Sequence, residues 1–190
     1  MWFRVTPILG EEPPGSWRIM TRVLPNHVED GDENMVKGGG RRKAVGFGST
    51  ELKVDAKSGL EKYVKMLLDS SLKVRAIVLM GSRARGDWGA HSDTDVLVVA
   101  ENFPQNHSDL LVALDPPEVW GLSLEPRAYT PKDFLDAIWA LDLTALDAME
   151  EGIVLYDDGL WKKVQEAFQV AKREYGLKKI RDGWMALKPL

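Results

Sequence analysis

The sequence has no cysteine, which excludes disulfides and thiolate metal sites and leaves the redox compartment open. Histidine is nearly as scarce: His27, His91 and His107 are scattered, and no two have the spacing of a paired metal site. No apolar run approaches the ~20 residues that a membrane helix needs, and the start Met1-Trp2-Phe3-Arg4 lacks the charged lead and apolar stretch of a signal peptide. These absences predict a cytoplasmic protein with no membrane partner. An excess of positive charge is missing too. The formal net charge is -4 over 190 residues, which disfavours a broad grip on a nucleic-acid duplex. Against these absences stands an ordinary globular composition, 44% hydrophobic and 28% charged, enough for one packed domain.

Periodicity divides the chain. Residues 1–54 hold Pro7, Pro13, Pro14 and Pro25, the acidic cluster Glu29 to Glu33 and the glycines 38–40, with no sustained apolar repeat. Such a segment buries too little surface to offset its ordering entropy, so it reads as a poorly ordered N-terminal extension. Regular structure is expected from Asp55 onward. Leu60, Tyr63, Val64, Leu67 and Leu68 make the stripe of an amphipathic helix. Three strands are predicted at 74–80, 94–100 and 121–129, with a short helix at 107–114 between the second and third. Thr130 and Pro131 suit an N-cap and the first helical position, and Phe134, Leu135, Ile138 and Leu141 follow on one face. Another helix at 143–151, a short strand at 153–156 and a last helix at 159–175, with Leu160, Val164, Ala167, Phe168 and Ala171 in line, complete a mixed α/β domain over 55–180. Residues 181–190 read as a tail.

The chemistry lies in Gly81-Ser82-Arg83-Ala84-Arg85-Gly86 and, after ten residues from Ser82, Asp93-Thr94-Asp95. Alternation along a strand puts Asp93 and Asp95 on one face, with Cα atoms about 6.5–7 Å apart. Two carboxylates that close repel unless a cation sits between them. Magnesium takes oxygen ligands and favours carboxylates together with substrate phosphates, and paired Mg²⁺ ions serve in-line displacement at phosphorus. Gly81 permits close backbone approach to a phosphate, and the Ser82 hydroxyl can donate to its oxygens. Arg83 or Arg85 can reach a triphosphate with a planar fork. A third carboxylate, Glu125, interrupts the strand at 121–129, and Pro126 beside it removes a backbone donor, which predicts an edge or a bulge there.

This pattern resembles the DNA polymerase β-type nucleotidyltransferase superfamily, specifically its small branch, the minimal nucleotidyltransferases. The resemblance spans about residues 60–160 and rests on Gly81 to Gly86, Ser92 to Asp95, Glu125 ahead of Tyr129-Thr130-Pro131, and Gly152 to Tyr156. It implies a small mixed sheet flanked by helices, the palm-like fold of the superfamily. It implies that Asp93, Asp95 and Glu125 are the catalytic and metal-binding acids, holding two Mg²⁺ ions, and that Gly81 and Ser82 hold the phosphates of an NTP, with ATP expected. The family's third acid is often Asp, so Glu125 keeps the charge and lengthens the reach. The acceptor it suggests is a HEPN-type protein partner that the enzyme adenylylates as an antitoxin.

Each residue also has a plainer reading. Asp93 and Asp95 suit a solvated turn, Glu125 an exposed edge strand, and Arg83 and Arg85 a helix face paired with acids such as Asp87. Trp88 and His91 fit a loop packed on its own domain. Two other functions stay open: a catalytically silent module that binds nucleotide and partner, and a transferase acting on RNA or on a small molecule such as an aminoglycoside.

Overall fold

The structure is a computed structural model that describes residues 50, 54–89, 91–180 and 183–188. The expectation of a poorly ordered extension falls almost wholly outside the described residues.

Helix α1 (Ala56–Asp69) begins where Asp55 caps it, accepting from the Ser58 N–H at 2.8 Å. It buries Leu60, Tyr63, Val64 and Leu67, the predicted stripe less the half-buried Leu68. Strand β1 (Val74–Leu79) runs into helix α2 (Gly81–Arg85), and β2 (Thr94–Ala100) returns antiparallel to β1. Helix α3 (His107–Leu114) and a 3-10 turn at Pro117–Leu122 lead to β3 (Leu124–Tyr129). The 3-10 turn takes the first residues of the strand expected at 121–129, because Pro116 and Pro117 start it and Ser123 ends it with a left-handed φ of 51°. Helices α4 (Pro131–Trp139) and α5 (Leu143–Glu151), strand β4 (Ile153–Asp157) and helix α6 (Leu160–Glu174) follow. Thr130 and Asp142 cap α4 and α5 through the N–H groups of Asp133 and Ala145.

The four strands form one sheet in the order β3-β2-β1-β4, with β2 and β3 parallel and the other pairs antiparallel. This is the mixed sheet expected from the sequence, and Pro126 lies on its edge strand. Alternation sends Ile77, Leu79, Val96 and Val98 to a core under α1 and α3, and Ala76, Val78, Leu97 and Val99 to a core under α4, α5 and α6. On α6 the buried side chain of the first turn is Trp161, with Leu160 only half-buried. Trp161 stacks on Phe134 at 5.7 Å between ring centroids, and this contact with α4 sets which way the helix faces.

Past α6, strands β5 (Lys178–Ile180) and β6 (Gly183–Met185) pair as a short antiparallel hairpin. Trp184 of β6 meets Phe168 edge-on and donates from Nε1 to Asp147 of α5 at 2.7 Å. The segment 181–190 therefore holds a strand that packs on the domain. Strands of three residues are too short to show a period in sequence.

Candidate active site

The site forms where β1 and β2 meet at one end of the sheet. Met80 leaves β1 by donating its N–H to the Asp95 carbonyl at 2.9 Å. The chain then turns at Gly81, with φ +66°, into α2. A Cβ at Gly81 would stand 2.1 Å from Asp95 Oδ2, so only glycine lets the carboxylate lie against the turn. Asp93 is exposed, one residue ahead of β2. Between the two acids Thr94 is fully buried. Its N–H donates to the Ser123 carbonyl at 2.8 Å and its hydroxyl to the Leu122 carbonyl at 2.6 Å. These bonds lock the start of β2 to the entry of β3, and the parallel register that follows sets Asp95 directly beside Glu125.

Three acids thus share one corner. The Asp95 carboxyl is pushed above the ordinary carboxylate range, first by burial and then by the charge of Glu125. Arg127 opposes this, while Asp93 and a hydrogen bond with Glu125 add to it. Glu125 in turn accepts from the Arg127 guanidinium. Arg127 was not among the residues singled out from sequence. Its place two residues after Glu125 on a strand was the available signal, since alternation returns it to the same face. Among the described residues no group of three acids or histidines stands arranged to hold a metal ion as it is. The donor set is still one for a hard cation: carboxylate oxygens from two adjoining strands, with one carboxyl raised first by burial and then by the charge of its neighbour Glu125.

The two arginines of α2 part ways. Arg83 is fully buried, and only Nη2 has an acceptor, the Ser92 carbonyl at 3.5 Å. Nε and Nη1 have no hydrogen-bond partner, and burial lowers its pKa. Its guanidinium lies 5.1 Å from the Trp88 ring centroid, so it braces the loop before Asp93. Arg85 is exposed and paired with Asp87 at 3.2 Å and Glu151 at 3.4 Å. Gly81 and Ser82 are half-buried at the head of α2, where the first N–H groups of a helix lack intrahelical acceptors.

A family model for the nucleotidyltransferase domain matches residues 60–155, half of the chain. The chain belongs to that family. The match runs from within α1 to within β4, so Asp93, Asp95 and Glu125 lie inside the nucleotidyltransferase domain, while the core under α4, α5 and α6 continues past it to Leu177. A curated relative named as a putative protein adenylyltransferase, from Methanocaldococcus jannaschii, is 29% identical over 126 residues, covering 56% of this nucleotidyltransferase and 81% of the relative. Among solved structures, a toxin-antitoxin complex with AMP-PNP has a chain that aligns with a TM-score of 0.42 at 19% identity, covering 60% of this chain and 90% of that one. A complex of a tri-AMPylated Shewanella oneidensis HEPN toxin with an MNT antitoxin aligns with a TM-score of 0.37 at 17% identity, covering 63% and 92%. Likenesses that loose say nothing more about this nucleotidyltransferase. No described helix is long and apolar enough to cross a membrane.

Proposed function

We propose that this nucleotidyltransferase moves the NMP of a nucleoside triphosphate, AMP by preference, onto a hydroxyl of a protein acceptor. The observation that carries the reading is the pairing of Asp95 with Glu125 in register on two strands, beside a turn that only glycine can make. In this reading the Gly81-Ser82 turn receives the triphosphate, with Ser82 donating to its oxygens. Asp93, Asp95 and Glu125 are the ligands for Mg²⁺, two ions by analogy with the family. A metal held there would offset charge on the phosphate oxygens and favour departure of pyrophosphate.

The acceptor hydroxyl attacks the α-phosphorus. Its oxygen forms the new P–O bond while the bond to the β-phosphate oxygen breaks, and pyrophosphate leaves. Glu125 takes the hydroxyl proton. Its position on the edge strand keeps it open to an incoming acceptor. The rest of the rate comes from holding the partners in line and from charge placed in advance. The preference for AMP and for a protein acceptor is supported by the adenylyltransferase relative, and the resemblance to minimal nucleotidyltransferases makes a HEPN-type protein the first acceptor to try.

The test uses α-labelled ATP, Mg²⁺ and a HEPN-type protein, with wild type beside Asp93→Asn/Asp95→Asn. Label on the acceptor with wild type, reduced at least about a thousandfold in the variant, is expected. Equal label with both proteins would overturn the assignment of the acids. No label with any acceptor, while the variant still neutralises the partner, would favour the silent binding module.

A further inference from the structure

Strand alternation sets Arg127 on the same face as Glu125 and Asp95. Its Nη2 donates to Glu125 Oε1, and its charge also bears on Asp95. The two paired side chains keep 49% and 47% exposure, so the pair can open without disturbing either core. Among the described residues the acid that Arg127 pairs with is Glu125, on its own strand. Three carboxylates gathered at one corner need a cation nearby to lower their mutual repulsion, and a guanidinium, always charged and weakly hydrated, suits that work.

We propose that Arg127 is the stand-in cation of the metal-free site, pairing with Glu125 until a divalent metal displaces it. The inference rests on the reading of Asp93, Asp95 and Glu125 as the metal-binding acids. It follows that Arg127 competes with the metal. An exposed arginine–carboxylate pair is weak enough for a divalent ion to open, but opening it is a step that metal binding must include. Glu125 then turns from the guanidinium to the metal, and Arg127 is freed toward solvent.

The experiment measures Mn²⁺ binding to the full chain without nucleotide, by the electron paramagnetic resonance signal of free Mn²⁺. Wild type, Arg127→Gln, Arg127→Lys and Asp95→Asn are compared. Arg127→Gln is expected to bind Mn²⁺ about three- to fivefold more tightly than wild type, and Arg127→Lys to stay within about twofold of it, because it keeps the charge. A merely structural arginine would give unchanged or weaker binding on removal. Unchanged or weaker binding by Arg127→Gln, with binding lost in Asp95→Asn, overturns the role of Arg127 and leaves the metal site standing. Tightening by Arg127→Lys equal to that of Arg127→Gln also overturns it, since charge is what the role requires. Binding indifferent to Asp95→Asn overturns the metal site, and this inference with it.

Discussion

A methyl group at position 81 would lie 2.1 Å from an oxygen of Asp95, and the backbone there has a φ of +66°. Gly81→Ala therefore meets two costs at once. The left-handed backbone is worth about 1–2 kcal/mol against any residue with a Cβ, and the Asp95 carboxylate must move. The variant is expected to fold, to melt lower by about that energy, and to lose transfer activity at least about a hundredfold. Thermal melts and the labelled-ATP assay read the two effects separately. Arg83 poses a different problem. A buried guanidinium with two nitrogens unbonded contributes little net stability, yet its stem fills space. Arg83→Met is expected to stay within about 1 kcal/mol of wild type in denaturant unfolding, and Arg83→Ala to lose about 2–4 kcal/mol to the cavity. A collapse of Arg83→Met would show that the charge itself holds the loop. At this scale the sequence made Gly81, Asp93 and Asp95 conspicuous by type and spacing. Burial separated Arg83 from Arg85, and nothing in residue type distinguishes two arginines a residue apart.

Among the elements, β3 was legible because Pro126 has no N–H to give and so belongs at an edge. The cap at Thr130 was legible for a local reason, that a short polar side chain bonds its own first turn, and Asp55 and Asp142 cap their helices in the same way. The β5–β6 hairpin was not. Its hold on the domain is long-range, through Trp184 to Asp147 and Phe168 and through the Lys179 ion pair with Asp147. Lys179 also reaches Glu151 at 3.7 Å, the acid that Arg85 contacts from α2. Trp184→Ala is expected to cost about 2–3 kcal/mol in urea unfolding, from lost aromatic packing and a released acceptor on Asp147. A loss under about 0.5 kcal/mol would mean that the hairpin is only loosely attached.

At the scale of the whole molecule, the buried apolar side chains among the described residues run from Ala56 to Leu177. Outside that span, Thr50 donates its hydroxyl to the Gly121 carbonyl at 2.7 Å. We propose that the folding unit starts near Thr50. A chain beginning at residue 48 is expected to melt within about 2 °C of the full chain in calorimetry and to transfer label at the same rate; a larger drop would place part of the core upstream. The sequence by itself determined helices α1 and α3 to α6 and strands β1 to β4 in outline, and it singled out the candidate acids, because those depend on local periodicity and on which side chains can hold a cation. Which strands are neighbours, and in which register, came only with the tertiary structure. Asp95 and Glu125 are thirty positions apart, and their meeting depends on Thr94 bonding the carbonyls of Leu122 and Ser123. Alternation along β3 puts Arg127 on the face of Glu125, and the same register brings it to the side of Asp95.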